Sequence, residues 1–283
     1  MATRPNRIIT LLFTALLCWL TPAVSFAGSH QDAPLQYSPE QIIDFSKRFE
    51  KDLAAKGVRV AIVSRLGRPR GELPPGLRYT HVGLAVYSII TTSDGRQLPG
   101  YAMYNLYQSS AEPDHSDLIQ DFPADFFAGV YALDTGIIIP KPDLQQRMLE
   151  LIASPAYKKL HSPNYSAIAN PFNDKLQNCT EFVLDVVTAA LYQTDDIRKI
   201  KANEKAYFEA QPVEINPLKL ALGSMFMKDI SLSDQQGKPE LATFTTIARF
   251  MEKYHLADSV YTIVDDKAVP MSAEEKEKSG FGQ

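Results

Sequence analysis

Two apolar segments joined by a tight-turn signal constrain the fold of this chain more than any other feature of its sequence. Strand-like patterns run from His81 to Thr91 and from Tyr101 to Gln108. Asp94-Gly95 lies between them, and this dipeptide favours the turn of a β-hairpin. The sequence therefore predicts an antiparallel pair of strands.

The elements on either side of this hairpin are grouped by type along the chain. We predict a helix at 39–56, further strands at 58–64, 130–133, 136–139 and 260–264, and further helices at 142–153, 179–192, 195–209, 217–226 and 243–254. Most strands lie in the first half of the chain, and most helices lie in the second. Such segregation is typical of an α+β fold rather than an alternating α/β fold.

The first 27 residues resemble a secretory signal. Arg4 and Arg7 precede an apolar segment at 8–24, and Ser25-Phe26-Ala27 supplies small residues where a signal peptidase cleaves. The alternative is an uncleaved N-terminal anchor. We favour cleavage, because a proline interrupts a segment that is already short for a bilayer span of about 20 residues. We therefore predict a periplasmic or secreted protein with no membrane span after cleavage.

Composition and charge restrict the domain organisation and the partners of the mature chain. With 45% apolar residues it can bury a sizeable core. We predict a single α+β domain at 28–266, with its core at 58–192 and a helical extension at 195–266, followed by a flexible tail at 267–283. The net charge of the full chain is −4 and falls to −6 without Arg4 and Arg7 of the predicted signal, which argues against a nucleic-acid partner, because such a partner favours a basic surface.

Cys179 is the single cysteine that remains after the predicted signal is removed, and it lies at the start of a predicted helix. Asn178 suits the N-cap of that helix, and Glu181 occupies the third helical position, as in a capping box. The positive end of the helix dipole favours a thiolate, which is the nucleophilic form of cysteine. The alternative is a structural residue, because Cys179 also lies on the apolar stripe of the helix.

A nucleophilic cysteine requires a histidine and a polar group that orients the imidazole ring. His81 begins its strand, and Asn105 is a polar residue among apolar ones in the returning strand. A two-residue turn would place His81 opposite Gln108 and Asn105 on the other face of the sheet. A three- or five-residue loop, or one bulge, returns Asn105 to the face of His81. We favour Asn105 as the orienting group and retain Gln108 as the alternative.

The motifs Thr80-His81-Val82-Gly83 and Asn178-Cys179-Thr180-Glu181 resemble the circularly permuted branch of the papain-like, NlpC-type cysteine hydrolases. The resemblance implies an antiparallel sheet packed on a central cysteine-bearing helix. It also implies Cys179 as the nucleophile, His81 as the base and Asn105 as the orienting residue. A wider pattern, including the segment 243–250, resembles an uncharacterised exported bacterial family, domain of unknown function 2145. The longer hairpin and the helical extension depart from many of the hydrolases.

No cofactor or metal is predicted. The histidines and cysteines are scattered, without the spacing of a metal site. The glycines at 67 and 71 lack the Lys-Ser/Thr pair that follows in a phosphate-binding loop.

The expected function is therefore an exported thiol hydrolase or acyltransferase, similar to a cysteine peptidase or amidase. Its substrate would be a peptide or an acyl group, and cell-wall peptide is the leading expectation from the compartment and the resemblance. The alternative is a non-catalytic periplasmic module that binds a peptide or protein in the same groove.

Overall fold

A computed structural model describes residues 35–271, except 93, 214–227 and 265–266. The predicted signal, the helix predicted at 217–226 and the last twelve residues of the predicted tail lie outside the described residues. Among the residues described, no helix has the length and apolar character needed to cross a membrane.

The strands form one large antiparallel sheet and one small one. They are β1 Val60–Arg65, β2 His81–Thr91, β3 Gln97–Gln108, β4 Ser116–Asp121, β5 Asp134–Pro140, β6 Gln211–Pro212, β7 Glu240–Leu241, β8 Ala257–Val264 and β9 Lys267–Pro270. The large sheet has the order β4-β3-β2-β1-β5-β8-β9, and all its pairings are antiparallel. This sheet and the helices packed on it confirm the predicted α+β class.

The helices are α1 Pro39–Ala55, α2 Pro123–Ala128, α3 Pro142–Ile152, α4 Pro155–Lys159, α5 Cys179–Tyr192, α6 Ile197–Tyr207 and α7 Phe244–Lys253. Local signals set several of their boundaries. The Ser38 hydroxyl accepts a hydrogen bond from the Gln41 amide, and the Gln41 side chain accepts one from the Ser38 amide, which completes a capping box. The helix at 39–56 is confirmed to within a residue of its predicted end.

Hydrophobic clusters cover both faces of the large sheet. On one face, Phe45 and Phe49 of α1 pack with Phe127 of α2 against β1, β2 and β5. On the other face, α5 packs through Phe182 and Val186 together with α3 and α7. Burial of such side chains stabilises the fold, since truncating a buried Phe to Ala costs about 3–5 kcal/mol. The cysteine-bearing helix is therefore central, and the sheet separates it from α1 and α2.

The hairpin register decides which side chains share a face. Leu84 pairs with Tyr104, and the Thr92 amide donates a hydrogen bond to the Arg96 carbonyl. This is the register of a three-residue loop, in which Gly95 has φ +81°. The two-residue turn is therefore wrong, and Asn105 lies beside Gly83 on the face of His81. A Cβ atom on Gly83 would collide with Asn105 Oδ1.

Several segments differ from the sequence-based prediction. The strand predicted at 130–133 is wrong, because these residues make only an isolated bridge between Ala132 and Leu66. The extension at 195–266 is helical only in part, because it ends in β8, which contains the strand predicted at 260–264 and pairs with β5 in the large sheet. The first residues of the predicted tail form β9, which pairs with β8. The conformation of these segments depends on strand pairing, which the local pattern indicates only for part of β8.

Candidate functional site

His81 is buried at the start of β2, with only 1% of its surface exposed. It pairs with Arg65 of β1 on the sheet face that carries α1 and α2. Its ring stacks on Tyr107 at a centroid distance of 4.7 Å and lies 5.5 Å from the ring of Phe126. Its Nε2 atom is 3.1 Å from Asn105 Oδ1. The structure therefore brings together two of the three predicted site residues, His81 and Asn105.

The hydrogen-bond network assigns the protonation of the His81 ring. Asn105 Nδ2 donates to Asp121 Oδ1 at 2.7 Å, which fixes the orientation of the amide and turns its oxygen toward the ring. An amide oxygen only accepts, so His81 Nε2 must carry the proton. His81 Nδ1 then has a lone pair, and it is buried with no hydrogen-bond partner in the described part of the chain.

The surroundings of His81 also keep the ring neutral. Burial lowers the pKa of His81 well below its ordinary value of 6.5, and the positive charge of Arg65 lowers it further. The hydrogen bond to Asn105 opposes these effects. Arg65 is itself held in place, because it donates to the Phe126 carbonyl and lies over the Tyr107 ring. The imidazole is thus a neutral base with an available nitrogen at neutral pH.

Asp121 closes the network at the end of β4. Its Oδ2 atom accepts a hydrogen bond from the Tyr107 hydroxyl at 3.1 Å. Burial raises the pKa of Asp121 to about 7, and the nearby Asp125 adds to this, whereas the hydrogen bond from Tyr107 and the charge of Arg65 act in the opposite direction. One carboxyl group therefore contacts both the amide and the phenol that touch His81.

Cys179 is the first residue of α5, as predicted. The Asn178 side chain caps the helix by accepting hydrogen bonds from the amides of Thr180 and Glu181. Cys179 is 4% exposed, belongs to the hydrophobic cluster on the α5 face, and has its Sγ atom 3.7 Å from Thr180 Oγ1. The helix start supplies the dipole expected of a nucleophile, and the burial is equally that of a core residue.

Tyr107 connects Cys179 with the His81 network. Burial is the main reason that the pKa of Tyr107 is raised, and the negative charges of Asp121 and of a Cys179 thiolate add to it. The charge of a Cys179 thiolate is the smallest of these contributions to the phenol that stacks on His81. Along β2, side chains alternate between the two faces, so His81 and Cys179 reach this end of the sheet from opposite faces.

Two details of the sequence-based prediction need correction. Glu181 does not complete a capping box, because its carboxylate accepts from the buried Lys201 at 2.8 Å instead. Gln108 is not the partner of His81, because its side chain donates to the Pro113 carbonyl and the register places it on the other face.

Three residues of the His81 network were missed in the sequence, namely Arg65, Tyr107 and Asp121. Tyr107 lies two positions after Asn105 in the same strand, so period-two alternation indicates that the two side chains share a face. Asp121 carries no such signal, because β4 is too polar to be recognised as a strand. Among the described residues, no three His, Cys, Asp or Glu side chains are grouped so as to hold a metal ion.

A family model for an uncharacterised protein conserved in bacteria, DUF2145, matches residues 52–251. This range includes His81, Asn105, Asp121 and Cys179. No curated protein and no solved structure matches the chain. Because the match covers well over half of the sequence, the chain belongs to the DUF2145 family of uncharacterised bacterial proteins.

Proposed function

We propose that this protein is an exported thiol hydrolase or acyltransferase with a circularly permuted papain-like arrangement of Cys179, His81 and Asn105. The observation that carries the proposal is the 3.1 Å contact between His81 Nε2 and Asn105 Oδ1, together with the unpartnered Nδ1 on the same ring. A ring held at one nitrogen by an amide oxygen and left basic at the other is what a cysteine nucleophile requires.

The reaction requires His81 and Cys179, which reach this end of the sheet from opposite faces, to meet within hydrogen-bond distance. The Cys179 thiol then transfers its proton to His81 Nδ1. The thiolate attacks the carbonyl carbon of an amide or ester, and a carbon–sulfur bond forms as the carbonyl oxygen becomes an oxyanion. Amides at the start of α5 contribute to stabilising that oxyanion. Collapse breaks the bond to the leaving nitrogen or oxygen, which takes the proton from His81. Water, or a second acceptor, then releases the acyl group from sulfur.

The electrostatics of His81 suit the return of the proton. Burial and Arg65 disfavour the charged ring, so the imidazolium formed in the first step is a stronger acid than an exposed one and returns its proton to the leaving group more readily. Asn105 holds the ring in one orientation throughout. Cell-wall peptide is the substrate class that we propose, because it contains amide bonds in the compartment that the signal segment predicts.

A second candidate function is a non-catalytic module that binds a peptide or protein. The observation that favours it is a cavity of about 500 Å³ beside β4, lined by Tyr104, Leu118 and Tyr157 rather than by Cys179 or His81. Its lining is largely apolar, which suits an apolar side chain of a ligand. In this case Cys179 and His81 serve packing alone.

Thiol reactivity separates the two candidates without knowledge of the substrate. The full chain carrying Cys18→Ser has Cys179 as its single cysteine. At pH 7, iodoacetamide should alkylate native Cys179 faster than the same thiol in the unfolded chain. His81→Ala should slow the native reaction by about tenfold or more, because the general base is lost.

His161→Ala is the matched control, because His161 also contacts α5, with its ring 6.3 Å from that of Phe182. That variant should leave the alkylation rate of Cys179 unchanged. Slow alkylation that does not depend on His81 would support the binding module and reject the hydrolase.

A further inference from the structure

Asp121 contacts both groups that hold the His81 ring. Its Oδ1 accepts from Asn105 Nδ2 at 2.7 Å, and its Oδ2 accepts from the Tyr107 hydroxyl at 3.1 Å. Asn105 bonds the edge of the imidazole, and Tyr107 stacks on its face. Asp121 is 6% exposed and does not itself contact His81 in any described hydrogen bond.

We propose that Asp121 is a positioning residue for His81: its carboxylate fixes the Asn105 amide, and the amide in turn keeps the proton on Nε2 and the lone pair on Nδ1. This inference rests on the proposed function, because an Nδ1 lone pair matters for chemistry only if His81 serves Cys179.

The argument follows from donor and acceptor chemistry. An ionised carboxylate only accepts hydrogen bonds, so the Asn105 NH₂ group must face Asp121 and the Asn105 oxygen must face His81. If the amide turned over, its NH₂ group would face Nε2, which would then need a lone pair. The ring proton would move to Nδ1, and the nitrogen that should accept the thiol proton would already carry one.

Protonation of Asp121 would weaken its control of the orientation of the Asn105 amide. The charged and titratable groups that face it are Arg65 on β1, His81 on β2, Tyr107 on β3 and Asp125 on α2. In these surroundings the pKa of Asp121 is about 7. A protonated carboxyl can donate as well as accept, so it tolerates either orientation of the Asn105 amide. Below this pH the Nδ1–H form of His81 should therefore become more populated.

Nitrogen-15 NMR of the histidine-labelled full chain measures the ring proton directly. Long-range proton–nitrogen spectra distinguish the Nε2–H form from the Nδ1–H form, and His81→Ala assigns the signals. At pH 8 the wild type should have the Nε2–H form. In Asp121→Leu the Nδ1–H population should rise about fivefold or more, since the hydrogen bond that orients the amide is gone.

The pH profile gives a signature that a purely structural role would not produce. In the wild type, the Nδ1–H population should rise as the pH falls through 7. In Asp121→Leu it should not depend on pH over that range. If Asp121→Leu does not fold, Asp121→Asn provides the same test, because an amide also tolerates both orientations of Asn105. Asp117→Leu is the matched control on β4, since Asp117 is exposed, and it should retain the wild-type spectrum.

A single Nε2–H form in folded Asp121→Leu, with the wild-type pH profile, would overturn the inference. The spectrum does not depend on the reactivity of Cys179. If the ring proton moves as expected while Cys179 is unreactive in the wild type, the positioning role of Asp121 stands and the proposed hydrolase fails.

Discussion

The protein buries two polar networks that balance charge in different ways. At the start of α5, Lys201 Nζ contacts Glu181 at 2.8 Å, Asp185 at 2.6 Å and Glu204 at 3.2 Å. On the other face of the sheet, His81, Asn105, Tyr107 and Asp121 are joined by hydrogen bonds and a ring stack. The first network depends on a central cation, and the second depends on the direction of each hydrogen bond.

Burial has opposite consequences for the two networks. Burial raises the pKa values of Glu181 and Glu204 well above their ordinary range, and neighbouring carboxylates contribute, while Lys201 opposes the shift. Carboxylates outnumber the cation, so this network joins α5 to α6 at a cost in desolvation. In the His81 network, burial instead keeps the imidazole neutral. The ionic network therefore anchors the first turns of α5, the helix that begins with Cys179, and the neutral network fixes which nitrogen of His81 can accept a proton.

Removal of the central cation should have the largest effect. Lys201→Met leaves the carboxylates of Glu181 and Asp185 buried without a counter-charge, so we expect the free energy of unfolding at pH 7 to fall by about 3–5 kcal/mol. Urea denaturation measures this change. Lys159→Met is the control, because Lys159 pairs with Asp195 at the surface, and its unfolding midpoint should barely change. Equal losses in the two variants would contradict a special role for the Lys201 network.

A substitution at Gly83, where β2 and β3 lie in close contact, should destabilise the fold nearly as much as Lys201→Met. In Gly83→Ala the new methyl group would meet Asn105 Oδ1 and lie 3.2 Å from the Tyr104 carbonyl oxygen. We expect a loss of about 1–3 kcal/mol in unfolding free energy, because the side chain must shift within a packed region. The same shift should slow alkylation of Cys179. Gly71→Ala provides the control, since no atom lies within 4 Å of the added carbon; a similar loss there would refute the steric explanation.

As the pH rises, the melting temperature relative to wild type should change in opposite directions for Asp121→Asn and for Lys201→Met. Folded Asp121 has a pKa of about 7, raised from 3.8, so the folded chain holds a proton that the unfolded chain releases between these values. Wild-type stability contributed by this group is therefore present below pH 3.8 and is lost as the pH rises through 7. The variant lacks this loss, so its melting temperature relative to wild type should increase from pH 4 to pH 8.

The melting temperature of Lys201→Met relative to wild type should depend on pH in the opposite direction. Its carboxylate partners also bind protons more readily when folded, so Lys201→Met should be least destabilising at acid pH, where those groups are neutral. An Asp121→Asn difference that is constant with pH would show that the Asp121 carboxyl has the same pKa in the folded and unfolded chains.

Local signals in the sequence were sufficient to predict those elements whose conformation depends on residues a few positions apart. Ser38, Asp94-Gly95 and Asn178 each act within a few positions, so α1, the hairpin and the start of α5 could be predicted. The sequence left more than one possible register for the hairpin, because a change of one residue in loop length moves the Asn105 side chain to the other face of the sheet.

The two networks themselves depend on contacts between distant segments. Lys201 reaches Glu181 across 20 positions, and Asn105 reaches Asp121 across 16. A charged helix in the sequence usually indicates an exposed surface, so nothing local indicated that Lys201 is buried. The short, polar β4 forms because β3 offers it a pairing edge, and this could not be inferred from its own residues.

The smallest effect is expected from the removal of a single hydrogen bond, the one that Tyr107 donates to Asp121. Tyr107→Phe removes the donor to Asp121 Oδ2 and leaves the stack on His81 in place. We expect a loss of about 1 kcal/mol in unfolding free energy, measured in urea at pH 8, because one buried acceptor loses its partner. Tyr157→Phe is a matched control, since the Tyr157 hydroxyl is buried with no hydrogen-bond partner in the described part of the chain. Its removal should be neutral or slightly stabilising. If both variants lose the same stability, ring packing rather than the bond to Asp121 accounts for the role of Tyr107.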